Sequence, residues 1–173
     1  MPDRPDGLLI RPLSLADVAG MQALCTLPGT MWGTAQIPSR TLEQRQRQVE
    51  SMVTDRDTHA LVAELDGKLV GSASLHVGNG KRRHTGDLGI CVHDDYAGRG
   101  IGRALMESLL DLADNYLGLK RVELDVITDN AAAIHLYETL GFAREGIKRS
   151  ALFRGGTFVD LLMMGRVREE CSL

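Results

Sequence analysis

Glycines alternate at Gly98, Gly100 and Gly102 within Tyr96-Ala97-Gly98-Arg99-Gly100-Ile101-Gly102-Arg103-Ala104-Leu105, between a short apolar run, Leu88–Val92, and a strongly helical segment. Backbone without side chains lets a ligand come close. A helix start also presents unpaired N–H groups beside the positive end of the macrodipole. Such a place suits a phosphate-bearing ligand, a nucleotide or a coenzyme. The same residues also serve a plain tight loop. Two better-known phosphate motifs are excluded. A dinucleotide fingerprint starting at Gly98 needs Gly or Ala where Arg103 stands, and one starting at Gly100 meets Leu105. A P-loop needs Gly-Lys-Ser/Thr, a tripeptide this chain lacks.

The other reactive side chains give less. Cys25, Cys91 and Cys171 are widely spaced, with neither a disulfide framework nor a Cys-x-x-Cys pair. Free thiols and a cytoplasmic location are expected. Cys91 lies in the apolar run and has the chemistry of a nucleophile, but no base partner can be named for it. His59, His76, His84, His93 and His135 form no His-x-x-x-His pair, so no metal is expected. His84 and His93 bracket Asp87 and are candidates for a substrate end.

At 173 residues the chain reads as a single domain, 1–173, large enough to bury a substantial core. Its 43% hydrophobic and 25% charged residues are ordinary for a globular protein. A formal net charge of −3 provides no global basic field, so neither nucleic acid nor an anionic membrane is expected as partner. The start, Met1-Pro2-Asp3-Arg4, lacks a signal-peptide run, and no segment approaches the roughly 20 apolar residues of a membrane span.

The elements that must position these residues follow in order. Leu8–Leu13 reads as a strand stopped by Pro12. Ser14 or Asp17 caps a helix carrying Val18, Met21, Leu24 and Cys25. Residues 27–39 read as a loop or a short irregular helix. Thr41-Leu42-Glu43-Gln44 is a capping box opening a polar helix to about Val53. Strands at His59–Glu64 and Lys68–Val77 flank the hairpin signal Asp66-Gly67. Gly78–Arg83 is a turn with a basic end, and Thr85–Val92 a further strand. The helix after the glycines carries Leu105, Leu109, Leu112 and Tyr116 on its apolar face and ends at Gly118. Arg121–Val126 alternates as a strand. Asp129 or Asn130 starts a short helix with Ala133, Leu136, Tyr137 and Leu140 on one face, closed by Gly141-Phe142. Ala143–Glu145 and Phe158–Val167 are the last strands. Hairpins together with strand–helix–strand units predict an α/β fold with a mixed sheet.

Four groups of residues, in collinear order, resemble the GCN5-related N-acetyltransferases (GNAT). They are Leu88-Gly89-Ile90-Cys91-Val92; Gly98-Arg99-Gly100-Ile101-Gly102; Asp129-Asn130-x-x-Ala133-x-x-x-Tyr137-x-x-x-Gly141-Phe142; and the flanking Ile10-Arg11-Pro12-Leu13 with Glu64-x-x-Gly67-x-x-Val70-Gly71. The resemblance implies a mostly antiparallel central sheet flanked by helices and splayed between its fourth and fifth strands. It implies acetyl-CoA as co-substrate, its pantetheine on the backbone of Ile90, Cys91 and Val92. The pyrophosphate would lie on Gly98, Arg99, Gly100, Ile101, Gly102 and Arg103, with Asn130 and Ala133 near the coenzyme. Where the family's pyrophosphate signature opens with Gln or Arg, this chain has Ala97. Backbone must therefore supply the grip at that position. More narrowly the chain is similar to bacterial enzymes that acetylate free amino acids. Polyamine and protein N-acetyltransferases, and a non-enzymatic acyl-CoA-binding sensor on the same fold, are the alternatives. Homodimers are common in the family.

The implied reaction is direct attack of a primary amine on a thioester. An amine with a pKa near 10.4 must first lose a proton, at a cost of roughly 4 kcal/mol at pH 7. The departing thiolate benefits from a nearby acid. The resemblance puts Tyr137 in that role, and a phenol with pKa about 10 is protonated at neutral pH. Asp87 stands where many members carry a glutamate. As a carboxylate of pKa about 3.9 it is a poor direct base and a better orienter of a water relay. For a free amino acid, Arg82, Arg83, Arg149 and Arg154 are candidate carboxylate partners. For a polyamine, Glu43, Glu50 and Glu145 are the acidic candidates.

Overall fold

The computed structural model describes residues 4–169; Met1–Asp3 and Cys171 lie outside them. The described residues form β1 (Leu9–Pro12), α1 (Val18–Cys25), α2 (Pro28–Gly33), α3 (Leu42–Thr54), β2 (Thr58–Leu65), β3 (Lys68–Val77), β4 (Thr85–Val92), α4 (Ile101–Asp111), β5 (Arg121–Ile127), α5 (Ala131–Thr139), β6 (Ala143–Arg154) and β7 (Thr157–Val167). The seven strands hydrogen-bond in the order β1-β2-β3-β4-β5-β7-β6. The pairs β1/β2, β2/β3, β5/β7 and β6/β7 are antiparallel, whereas β4/β5 is parallel. That parallel ladder matches only Thr85–Asp87 with Arg121–Glu123. The fourth and fifth strands thus pair over their first three residues, as the resemblance implied. No helix among the described residues is long and apolar enough to cross a membrane.

Two compact units divide the chain. The first runs to His76 and includes Ile90–Leu109. Leu13, Met21, Leu24, Cys25, Val49 and Val62 form a core cluster in it, from β1 through α1 and α3 to β2. Leu24, Val49 and Val62 are each no more than 1% exposed, and full burial of such side chains contributes about 1.5–3 kcal/mol apiece. Arg11 joins the opening strand to this layer: its guanidinium forks onto Asp17 at 2.7 and 2.9 Å and reaches Glu64 at 2.8 Å. Ser14 adds its backbone N–H and hydroxyl to the same Asp17 carboxylate. The capping box is present: Gln44 N–H donates to Thr41 Oγ1 at 3.3 Å, and Thr41 N–H donates to Gln44 Oε1 at 2.9 Å. The polar helix it opens nevertheless buries Arg45, which is 1% exposed. Residues 27–39 include α2, which opens on Pro28 at its first turn.

The second unit holds Val77–Gly89 and the chain from Leu110 onward. Past Asp111 the helix widens into a π turn, Leu112–Tyr116, before Gly118 turns the chain at φ +61°. This corrects the expected apolar stripe, because Tyr116 is 76% exposed and Ala113 is buried instead. The wide turn shifts the helical register, since Leu117 N–H donates to Leu112 five residues back. Arg166 holds the turn in place, forking onto the Asp114 carboxylate at 2.7 and 2.9 Å. β6 is also much longer than Ala143–Glu145. It continues to Arg154 through two register shifts, and Ser150 sits at φ +51° with its N–H on Asp160 at 2.8 Å.

Candidate active site

In the first unit, Ile90, Cys91 and Val92 end β4, all three half-buried. His93 N–H then donates to Val70 O at 2.9 Å, tying the strand's exit to β3. Gly71 is the reason β3 can lie there. A Cβ on it would stand 3.0 Å from Leu105, 3.2 Å from Ile101 and 3.3 Å from the Cys91 carbonyl. His93 is buried and its Nδ1 accepts the Asp95 N–H at 3.2 Å, which leaves the proton of a neutral ring on Nε2. The His93 ring, a candidate for the substrate end, also fixes the turn that leads into the glycines. Asp94 accepts the N–H of Gly29 at 2.7 Å, so α2 is pinned to the same turn.

Tyr96 follows as a platform. The Lys68 ammonium and the Arg99 guanidinium lie 5.2 and 5.1 Å from its ring centroid, and the His93 ring meets it edge-on at 5.2 Å. Cation–π contacts at such distances are worth about 0.5–1 kcal/mol where exposed. Gly98 and Gly100 take φ of +76° and +79°, a region that side chains rarely enter. The Ala104 N–H donates to the Gly100 carbonyl at 3.0 Å, which makes Gly100 the cap of α4. The N–H groups of Ile101, Gly102 and Arg103 fall in the first helical turn, before intrahelical pairing begins. They can hold an anion without any side chain, as Ala97 requires. Arg103 meanwhile pairs with Glu107 at 3.2 Å.

In the second unit, Asp87 is exposed on β4, in register with Glu123 of β5. Asn130 Oδ1 accepts the Ala133 N–H at 3.2 Å, making Asn130 the cap of α5, while Asp129 pairs with Arg154. One turn further, Tyr137 is 6% exposed. Burial pushes its phenol up to about 12, so it is a proton donor across the physiological range. Ile134, also buried on this face, was not among the expected core residues.

Four of the seven charged substrate candidates are held in ion pairs. Arg82 pairs with Glu123, Arg149 with Asp160 and Arg154 with Asp129, while Glu145 pairs with Arg121. His84 is exposed, and its carbonyl accepts the N–H groups of Lys120 and Arg121. Tyr96 and Lys68 escaped sequence reasoning because 28 residues separate them and no local pattern marks a cation over a ring. Among the described residues no cluster of three or more His, Cys, Asp or Glu side chains is arranged to hold a metal ion.

The mixed sheet in this strand order is the fold of solved acetyltransferases of one family. The chain belongs to the GNAT acetyltransferase family, whose model matches residues 22–142. It is 33% identical to the L-amino acid N-acetyltransferase AaaT of Escherichia coli K12, over 93% of this chain and 98% of that one. The spermidine N(1)-acetyltransferase of Vibrio cholerae is 33% identical over 43% of each chain. The ribosomal protein bS18-alanine N-acetyltransferase of E. coli K12 is 46% identical over 35% of this chain and 40% of that one. Among solved structures, a GNAT-family acetyltransferase of Streptococcus pneumoniae superposes with TM-score 0.81 at 29% identity, over 94% of this chain and 99% of that one. A Salmonella typhimurium acetyltransferase solved with acetyl-CoA shares the fold at TM-score 0.81 and 24% identity, over 97% and 98% of the two chains. The protein is an N-acetyltransferase, and acetyl-CoA is its acetyl donor.

Proposed function

We propose that the acceptor is the primary amine of a free amino acid. The observation that carries this reading is the extent of similarity to the L-amino acid enzyme, which spans 93% of this chain against 43% for the spermidine enzyme and 35% for the ribosomal-protein enzyme.

In this reading the backbone of Ile90, Cys91 and Val92 receives the pantetheine. The first-turn N–H groups at Ile101, Gly102 and Arg103, reached through Gly98, Arg99 and Gly100, receive the pyrophosphate. Asn130 and Ala133 border the coenzyme. Tyr137 gives its proton to the departing thiolate, and Asp87 orients the water that takes the amine's proton. A phenol that stays protonated at neutral pH has a proton to give, and that chemistry is what a catalyst uses and a sensor that only binds acyl-CoA does not need.

The test is a panel of L-amino acids, spermidine and spermine, and short peptides with free N-termini, each with acetyl-CoA and a readout of thiol release. Turnover on amino acids at least tenfold above the rest is the expected result. Preference for a polyamine or a peptide overturns the acceptor assignment, and coenzyme binding without thiol release on any amine overturns the catalytic roles.

A further inference from the structure

Arg40 lies in the segment between α2 and α3, and Arg45 in the first turn of α3. Their guanidiniums meet on one neutral atom. Gln48 Oε1 accepts Arg40 Nη1 at 2.7 Å and Arg45 Nη1 at 2.5 Å. Arg45 is 1% exposed, and its other nitrogens also donate to amide oxygens, Nε to Gln22 at 3.2 Å and Nη2 to Gln36 at 3.1 Å. Among the described residues neither arginine has a carboxylate within ion-pair distance. By contrast, Arg11, Arg121 and Arg166 each rest on carboxylates.

Amide oxygens satisfy the donors of Arg45 but not its charge, and a second cation at the same oxygen adds repulsion. An anion relieves both. Arg45 has no nitrogen left to offer one, but Arg40 does. Half-buried, it uses only Nη1 on Gln48, and its Nε and Nη2 have no acceptor among the described residues. That edge of a guanidinium takes a carboxylate in a two-point fork.

The arginine pair belongs to the first unit, in the layer against which the end of β4 packs. Gln22 is one turn before Cys25 on α1, and Arg45 one turn before Val49 on α3. Cys25 and Val49 are members of the core cluster that Cys91 packs against. The coenzyme's phosphates already have a cradle of their own in the reading above, at Gly98–Arg103. The anion still to be accounted for is on the acceptor.

We propose that Arg40 receives the α-carboxylate of the acceptor amino acid. Arg45 is its positioning residue: the buried charge draws the anion in, and the shared Gln48 oxygen fixes the plane of Arg40. This assignment rests on the reading of the acceptor as a free amino acid, and it names what distinguishes that class. A polyamine brings further cations, which the two arginines repel. A peptide N-terminus brings an amide where the carboxylate would be and leaves the Arg40 fork unpaired.

The experiment compares the common L-amino acids with their C-terminal amides, in which the amine remains and the carboxylate is replaced by a neutral group. Acetyl-CoA is the donor and thiol release the readout. The amides differ in amine basicity, so the quantity compared between proteins is the ratio of KM for amide to KM for acid. Arg40→Met, or Arg40→Gln should the first fold poorly, is expected to raise KM for the acids by about 10–100-fold, the worth of a hydrogen bond to a charged group. KM for the amides, kcat and KM for acetyl-CoA stay within about twofold, so the ratio collapses. Arg40→Lys, which keeps the charge and loses the fork, recovers part of it. Arg45→Met raises KM for the acids in the same way and Arg45→Lys restores it, at unchanged kcat.

A parental ratio in the folded Arg40 variants overturns the assignment and leaves the amino-acid reading standing, as does a parental enzyme that uses amides as well as acids. Preference for spermidine or a peptide is seen in the parental enzyme before any variant is made, and overturns the amino-acid reading together with this assignment. Equal KM values in folded Arg45→Met and Arg45→Lys remove Arg45 from it.

Discussion

The Phe142 N–H donates to the Tyr137 carbonyl at 3.1 Å, and the two rings lie 6.0 Å apart. With Gly141 N–H on the Glu138 carbonyl at 3.1 Å and Gly141 at φ +88°, this is a Schellman closure. Tyr137 is thereby held at the last turn of α5 by backbone and ring together, while Asn130 fixes the first turn. A phenol whose helix is secured at both ends is suited to proton donation at a defined point.

Tyr137→Phe is therefore expected to lower turnover by about 10²–10⁴-fold while leaving the KM for acetyl-CoA within about twofold. Steady-state thiol release checks it, and full activity in the folded variant removes Tyr137 from the chemistry. Burial raises the phenol to about 12, so its acid function is lost only as pH rises through that value. Any basic limb in the rate between pH 8 and 10 must then belong to another group, and it should persist in Tyr137→Phe. The same shift bears on folding: the unfolded tyrosine ionises near 10, so stability from this site is complete below about pH 10 and declines toward 12.

Asp17 predicts the acid side. Its carboxylate is lowered to about 2, first by the Arg11 fork, with the Ser14 N–H and hydroxyl helping against burial. A group depressed in the folded state contributes stability above its unfolded value near 3.9 that is lost as pH falls toward 2. A shift of this size corresponds to about 2 kcal/mol. Asp17→Asn should accordingly lower Tm by about 4–8 °C at pH 7 and flatten the loss of stability between pH 4 and 2. Denaturant melts across that range measure both effects. An unaltered acid limb would show that other carboxylates govern it.

The features legible in the sequence are those set by neighbours in the chain. Thr41 and Gln44 satisfy one another three residues apart, Asp66-Gly67 turns within its own hairpin, and Gly141-Phe142 closes α5 on its own last turn. What escaped reading depends on distant partners. Tyr116 leaves the apolar face because Arg166 holds Asp114 across 52 residues and the helix widens there. β6 continues past Glu145 because Asp160 supports Ser150 in an unusual conformation. Arg45 looks like one more charge on a polar helix until Gln22 and Gln36 are seen to surround it. The glycine loop and the helix start after it were legible, whereas the stack of Lys68, Tyr96 and Arg99 beside them was not.

Asn130 carries a structural role and a proposed coenzyme contact, and substitutions separate them. Removing the cap in Asn130→Ala should cost about 1 kcal/mol, whereas Asn130→Ser retains an oxygen for the Ala133 N–H and most of that stability. If the amide also touches the coenzyme, Asn130→Ser keeps its Tm but shows a raised KM for acetyl-CoA, by about 5–10-fold for one lost hydrogen bond. Thermal melts and acetyl-CoA titrations on both variants decide. An unchanged KM in Asn130→Ser confines the residue to capping.

Gly102 gives the sharpest test of the coenzyme cradle, because one substitution there moves stability and affinity in opposite directions. It lies in the first turn of α4, whose cap is Gly100, and its backbone is not in the left-handed region that Gly98 and Gly100 occupy. The backbone conformation there is open to an aspartate, and a carboxylate at a helix start is favourable to the helix by about 0.3–1 kcal/mol. The same charge repels a pyrophosphate seated on the first-turn N–H groups and competes for them. Gly102→Asp should melt at or slightly above the parent's Tm, yet bind acetyl-CoA at least tenfold more weakly, with the deficit shrinking as salt is raised. Gly102→Asn, similar in size but uncharged, should lose less. Calorimetric titration with CoA measures the difference, and parental affinity in a folded Gly102→Asp protein would place the pyrophosphate elsewhere.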